Sequence, residues 1–428
     1  PMKKFYALFL VLLSVWQVSA QSWDGTSAEV WTQGEGTEQA PYLIEKPSNL
    51  AYLSQKVTAG ESYEGKFFKL TTNLDMNGKD FPVIGYYYEK ADPETGDPIE
   101  DMSHYFAGVF DGNHKMIDGL TITKTNTVQI TADSTAEAEM GVGLFACLSE
   151  SGIIRNLVIG PQSNIACSNA VGTGAIVGVL NGGIVENCAN LGYVGSIMIA
   201  GGIVGAMYEN STVQYCTNKG KVNGAFGDAG GIVGAMDLSA VVQGCYNMGD
   251  VEAYTTVGGI AGKTSQEDKV LYCYSAGKLT EAAGGVKLGA IVGEANADTK
   301  MEGNFYVEKF TKSIDLNAEP ISEEEMRSET TLQKFNNGLG ATIFKTVPAL
   351  NNGFPCFVWE TKELTSAGQL TIANDLLLNG RKLKSSQPLT IYDLSGRMIT
   401  EGQDIQLNEA GNYLIVRPGM KTLKVTVK

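Results

Sequence analysis

Apolar residues along this chain arrive in runs of two to four, cut by Gly and Asn, and between residues 174 and 293 one such run returns five times. It reads Gly174-Ala175-Ile176-Val177-Gly178, Gly201-Gly202-Ile203-Val204-Gly205, Gly230-Gly231-Ile232-Val233-Gly234, Gly258-Gly259-Ile260-Ala261-Gly262 and Gly289-Ala290-Ile291-Val292-Gly293. The central Ile steps by 27, 29, 28 and 31 residues, and Cys188, Cys216, Cys245 and Cys273 each follow their Ile by 12 or 13. A fixed period of this size marks stacked repeats, each unable to bury its apolar face alone. No apolar stripe at three-and-four spacing is long enough for a helix, so the unit is β. Three short strands per period, closed by Gly or Asn turns, predict one coil of a parallel β-solenoid, with coils ~4.8 Å apart.

Equivalent residues then stand in columns. The five Ile residues form an aliphatic core ladder. Asn190, Asn218 and Asn247, two after each Cys, form an amide ladder that gives way to Ser275. Val185, Val213, Val242 and Val270 lie three before each Cys, so strict alternation would put Val and Cys on opposite faces; either a bend lies between them, which is the favoured expectation, or one column faces outward.

Outside the repeats the pattern changes. Residues 21–106 read as a capping and lead-in module. Within it Ser48 can cap a short helix carrying Leu50, Leu53 and Val57, suited to covering the open end of the solenoid. Gly108-Val109-Phe110-Asp111-Gly112 and Gly143-Leu144-Phe145-Ala146 read as two degenerate coils, giving roughly seven coils over residues 107–300. Residues 301–365 lose the period and read as a closing segment, with Ser322 and Glu325 as a capping box and Leu332 and Phe335 continuing the helix. Residues 366–428 read as alternating strands of a small β-sandwich.

Charge and composition narrow the partners. The 51 Gly fit a fold of many tight turns. Behind Pro1, the stretch Met2-Lys3-Lys4, an apolar run from Phe5 to Trp16 and Val18-Ser19-Ala20 predict a secretory signal peptide over residues 1–20. Without Lys3 and Lys4 the formal charge moves from −15 to −17, which argues against nucleic acid and anionic membrane surfaces. Seven Cys in an exported chain raise the question of disulfides, but the columnar four are expected as buried thiols. With only His104 and His114, and no CxxC, neither a zinc site nor another cofactor is expected.

Several phrases carry a family resemblance. Pro41-Tyr42-Leu43-Ile44, Gly65-Lys66-Phe67-Phe68-Lys69-Leu70, Phe110-Asp111-Gly112-Asn113-His114 and the Gly-Gly-Ile-Val-Gly repeats resemble the GLUG-repeat family over roughly Trp23 to Trp359. Those are bacterial extracellular proteins, common in the Bacteroidetes. The resemblance implies a right-handed, pectin-lyase-like β-helix and a surface or adhesin-like role. Such repeats also occur beside protease domains, but this chain has no HExxH. Residues 370–428, with Leu389 to Arg397, Ala410 to Val416 and Lys421 to Lys428, resemble the C-terminal sorting domain of the type IX secretion system, although Glu409 stands where that family has Pro. This implies that secretion machinery is a partner; a β-sandwich that merely caps the solenoid is the alternative.

Two function classes remain. A lyase or glycoside hydrolase on a β-helix needs a base and a charge-neutralising group, or two carboxylates, on one face. The best column for that is Tyr193, Lys221, Asp250 and Lys278, which reads equally as a solvated ladder of alternating charge. The favoured expectation is a secreted or cell-surface, monomeric, non-catalytic binding protein. Its ligand residues are Tyr86, Tyr87, Tyr88, His104 and Tyr105, in the acid- and aromatic-rich insertion from Tyr86 to Tyr105. Rings with polar tips on a loop held by a rigid body suit a glycan or a host or bacterial surface protein.

Overall fold

The computed structural model describes residues 22–428 apart from 93, 96–97, 132–133, 283–286, 312–317, 349, 362–369, 374–375, 380–381, 394–397, 408–410, 417–422 and 428. The expected signal peptide lies outside the described residues. The chain divides into two compact units, one ending at Phe354 and one running from Pro355 to Lys428. Among the described residues no helix is long and apolar enough to cross a membrane.

The first unit is a right-handed parallel β-solenoid. The Ile column runs as the sequence predicts: Ile176, Ile203, Ile232, Ile260 and Ile291 are all fully buried. Each of the first four donates its N–H to the next Ile carbonyl, at 3.0, 2.9, 2.9 and 2.9 Å. Leu144 and Val83 extend the column, because Phe145 pairs with Val177 and Ile84 with Phe145.

One rung is more finely divided than three strands. It passes through Gly172–Gly174, Val177–Asn181, Ile184–Glu186, Ala189–Asn190 and Tyr193–Ser196 before the next rung starts at Ile199–Gly201. The bend between Val and Cys is a single residue in the left-handed region: Asn187 (φ 53°), Tyr215 (φ 56°), Gly244 (φ 58°) and Tyr272 (φ 53°) in successive rungs. That residue reverses the alternation, so Val185 and Cys188, and their equivalents, all point inward and are fully buried. The four columnar Cys are free thiols. Burial pushes the Cys216 and Cys273 thiols well above their ordinary range, which keeps them protonated.

The stack is longer than the roughly seven coils read from the glycine phrase. Nine strands pair in parallel along one face: Tyr42–Ile44, Phe67–Leu70, Val109–Asp118, Ile153–Ile159, Ile184–Glu186, Thr212–Gln214, Val241–Gln243, Lys269–Leu271 and Lys300–Glu302. Phe110 stands in the Val185 column, whereas Leu144 stands in the Ile176 column. The two stretches read as degenerate coils are therefore different faces of the stack. The early rungs hide because a helix and long insertions interrupt their period.

The amide ladder forms in full. Asn190 Nδ2 donates to Asn218 Oδ1 and Asn218 Nδ2 to Asn247 Oδ1, each at 2.9 Å. Each Asn also closes its own turn, donating to the carbonyl two residues on and accepting that residue's N–H, as between Asn190 and Gly192 at 3.1 and 3.0 Å. A Cβ on Gly202 or Gly231 would lie 2.5 or 2.4 Å from the Cγ of Asn218 or Asn247, so these two rungs need Gly at a position that Ala175 and Ala290 fill in the first and last repeats. The ladder stops at Ser275, whose hydroxyl is buried without a partner. Ser275→Asn is expected to add a fourth member, bonding to Asn247 and Gly277 and raising stability by about 1 kcal/mol. A shift of the urea midpoint at unchanged m-value checks it.

Helix α1 (Pro47–Thr58) covers the N-terminal end of the stack, burying Leu50, Leu53 and Val57. Its start differs from the expected Ser48 cap. Pro47 opens the helix, Ser48 is buried inside it, and Asn49 Oδ1 accepts the Glu45 and Lys46 N–H groups at 3.2 and 3.3 Å. Beyond the last rung, Ser322 caps α2 (Glu323–Met326) in the expected capping box, and Ser328 caps a separate α3 (Glu329–Leu339). Helix α3 lies along the side of the solenoid, not across its end. Phe335 packs on Tyr274 and Phe305, which face outward on neighbouring rungs.

The second unit holds six antiparallel strands from Leu370–Ala373 to Leu423–Val427. The long strand Lys382–Asp393 pairs with Leu376–Asn379, Met398–Gln406 and Gly411–Val416. Leu383, Leu389, Ile391, Ile405 and Ile415 are buried in this unit.

Candidate functional site

Two antiparallel hairpins stand off the parallel stack. Glu89–Ala91 pairs with Pro98–Asp101, and Asn126–Thr131 pairs with Ser134–Ala138. Their bases meet, since Asn126 Nδ2 donates to the carbonyls of Val83 (3.2 Å) and Gly85 (2.5 Å). The second hairpin escaped the sequence reading. Its only signal was the long gap in period between Ile122 and Gly143, with no aromatic residue to draw notice.

The five residues expected to bind ligand gather at the root of the first hairpin, and all are half-buried. Tyr86 and His104 face each other across an antiparallel bridge, with ring centroids 4.4 Å apart. His104 is tied back to α1, its Nδ1 lying 2.8 Å from the Thr58 carbonyl oxygen. The Tyr105 hydroxyl donates to Asp101 Oδ2 at 2.7 Å. Burial opposes the Asp101 carboxylate, but hydrogen bonds from Tyr105 and Ser103 outweigh it and hold its pKa below the ordinary value. Tyr87 and Tyr105 lean on the solenoid core. Burial pushes the phenols of Tyr86, Tyr87 and Tyr105 up, helped at Tyr87 by Glu89 and at Tyr105 by Asp101, so all three stay neutral. Tyr88 has its N–H on Ser103 Oγ at 2.9 Å, and its ring makes no ring–ring contact among those of the described residues. Four of the five thus pack into the root of the hairpin, and Tyr88, also half-buried, is held through its backbone. A narrow cleft beside Tyr86 and Asn126 is too tight to admit water.

The alternative column is solvent-facing, and its one ion pair leaves the column. Tyr193, Lys221, Asp250 and Lys278 are exposed on successive rungs, and Lys221 pairs with Glu252 at 2.8 Å. Arg155 is likewise engaged, with Nε 3.1 Å from Asp111 Oδ2. Along the same outer column Gln214 Nε2 donates to Glu186 at 2.8 Å and Gln243 Nε2 to Gln214 at 2.7 Å. Among the described residues no three His, Cys, Asp or Glu side chains converge as a metal site would require.

No family model matches the chain. A provisionally named Gly-rich membrane protein of Evansella cellulosilytica is 28% identical over 187 residues, 43% of this chain and 18% of that protein. Halomucin of Haloquadratum walsbyi is 26% identical over 190 residues, 44% of this chain and 2% of its own length. The chain thus spans less than a fifth of the curated relatives it matches. A solved structure from Bacteroides ovatus, a candidate immunoglobulin A1 protease, superposes with a TM-score of 0.57 at 22% identity, covering 76% of this chain and 94% of that one. At that identity the likeness is one of fold, and by fold this chain is a right-handed parallel β-solenoid similar to that of the Bacteroides ovatus protein.

Proposed function

We propose that the protein is an exported, cell-surface or secreted β-solenoid that binds without catalysis and presents its ligand site on the hairpin pair. The observation that carries this is the rigid aromatic base from which the first hairpin leaves a long parallel stack. A stack whose outer columns are satisfied ladders is suited to be a scaffold, and binding then falls to what projects from it. The hairpin from Glu89 to Asp101 is rich in carboxylates, which favours a neutral glycan or a basic patch on a surface protein over a polyanion. Export is supported by the N-terminal sequence and by a relative named as a membrane protein. The resemblances to GLUG repeats and to a type IX sorting domain point the same way, with secretion machinery as the partner of residues 370–428.

The test is an array of defined glycans and purified host and bacterial surface proteins, probed with the full mature chain. A ligand is expected whose affinity falls at least tenfold in Tyr88→Ser and in a variant with residues 89–101 replaced by a short Gly-Ser turn. Full affinity in both variants would remove the hairpin as the site. Cleavage of any bound polysaccharide would replace this reading with the lyase or hydrolase one.

A further inference from the structure

The rungs at the C-terminal end of the stack differ from those before them on one outward-facing column. It runs Ala189, Thr217, Tyr246, Tyr274 and Phe305, small in two rungs and aromatic in the next three. The Tyr246 and Tyr274 rings stack in parallel, with centroids 4.9 Å apart. All three aromatic side chains are buried, although they face away from the solenoid core. What covers them is the chain that follows the last rung and doubles back along the stack. Phe335 of α3 meets Phe305 and Tyr274, at centroid distances of 5.2 and 5.7 Å. Phe344 meets Tyr274 and Tyr246, at 6.3 and 6.4 Å. Helix α3 also lies close on the bends of two rungs. A Cβ on Gly338 would stand 2.0 Å from the Tyr272 ring, and one on Gly244 would stand 3.1 Å from Leu339 Cδ1. Asn336 fixes the turn that brings Phe344 back to Phe335. Its Oδ1 accepts the Ile343 and Phe344 N–H groups at 3.0 and 2.9 Å, and its Nδ2 donates to the Phe344 carbonyl at 3.0 Å. Farther on, Asn351 Nδ2 donates to the Tyr274 hydroxyl at 3.2 Å.

We propose that this strap is a latch that locks the rungs of Tyr246, Tyr274 and Phe305 into one cooperative unit and stops the solenoid from unzipping at its C-terminal end. In a parallel stack each rung bonds only to its neighbours, and the last rung has a neighbour on one side. An unlatched stack therefore opens from that end one rung at a time. The strap changes the order of events, because it holds rungs that share no strand pairing with each other. Phe335 grips the Phe305 rung and Phe344 the Tyr246 rung, and both grip Tyr274 between them. The Phe305 rung cannot leave without peeling α3 from Tyr274, and the Tyr274 rung cannot leave without lifting Phe344 from Tyr246. Lys334 sets the strap in place, with Nζ 5.0 Å from the Phe305 ring centroid and 3.4 Å from Glu319, whose strand pairs with that of Phe305. The latch also accounts for aromatic residues at a position that faces out of the stack, where they add nothing to the solenoid core.

The columnar thiols report the rungs separately. Cys245 and Cys273 stand one residue before Tyr246 and Tyr274, Cys188 and Cys216 lie in the two rungs before, and all four are fully buried. The experiment is labelling of the full chain under native conditions with a small alkylating agent, read thiol by thiol by peptide mass spectrometry. In the wild-type chain Cys245 and Cys273 should label slowly and at one rate. Phe335→Ser with Phe344→Ser should raise both rates at least about tenfold, Cys273 ahead of Cys245, and leave Cys188 within about twofold. Asn336→Ala, which only frees the turn, should move the same two thiols in the same direction by less, and serves if the double variant does not fold. Gln333→Ala, on the exposed side of α3, should change none of the four. Faster labelling of Cys273 than of Cys245 in the wild-type chain would overturn the proposal, since the rungs would then fray singly beneath the strap. So would unchanged rates at both thiols in the strap variants, or equal acceleration of all four, which marks a general loss of stability.

Discussion

Ile203→Asp is expected to destroy the middle of the solenoid, at a cost of about 5 kcal/mol or more. Ile203 is fully buried between Ile176 and Ile232, and its backbone bonds both neighbours. A carboxylate there meets only aliphatic atoms, so it must either protonate or drag water between rungs. In a stack where each rung contacts only its neighbours, such a break cannot be compensated at a distance. Ile203→Val, which removes one methyl group, should cost only about 1 kcal/mol and serves as the control. Urea unfolding followed by far-ultraviolet circular dichroism separates the two. A native-like midpoint for Ile203→Asp would mean that the column is not the core.

Asn218→Ala is expected to cost about 3 kcal/mol, more than a surface Asn could. The side chain is wholly buried and makes four hydrogen bonds: from Asn190, to Asn247, to the Gly220 carbonyl and from the Gly220 N–H. Alanine removes all four and leaves groups on three residues short of a partner inside a closed stack. Asn218→Asp should do worse despite its identical shape. It trades the donor that faces Asn247 Oδ1 for an oxygen, and buries a charge as well. A double-mutant cycle of Asn190→Ala with Asn218→Ala should show coupling of about 1 kcal/mol, because the two side chains share a bond. Simple additivity would mean that the ladder is a row of independent turns.

The sequence by itself determined the repeat, its β character, its parallel stacking and the identity of the Ile, Asn and Cys columns. These follow from a period held over five coils, in which every rung must present the same residue to its neighbour. It also marked residues 86–105 as an interruption with unusual chemistry. What only the tertiary structure decided lies where the period fails or where one residue acts through its conformation. The left-handed φ at Asn187, Tyr215, Gly244 and Tyr272 turns Val and Cys to the same side, and no shared residue type marks that position. The first rungs are legible only through pairing, since Phe68, Phe110 and Ile154 stack across gaps that α1 and the insertions open in the chain. The roles of the candidate site residues were hidden for a related reason. Whether a ring supports a hairpin or faces solvent depends on what packs behind it, as Thr58 does for His104 and the core does for Tyr87 and Tyr105.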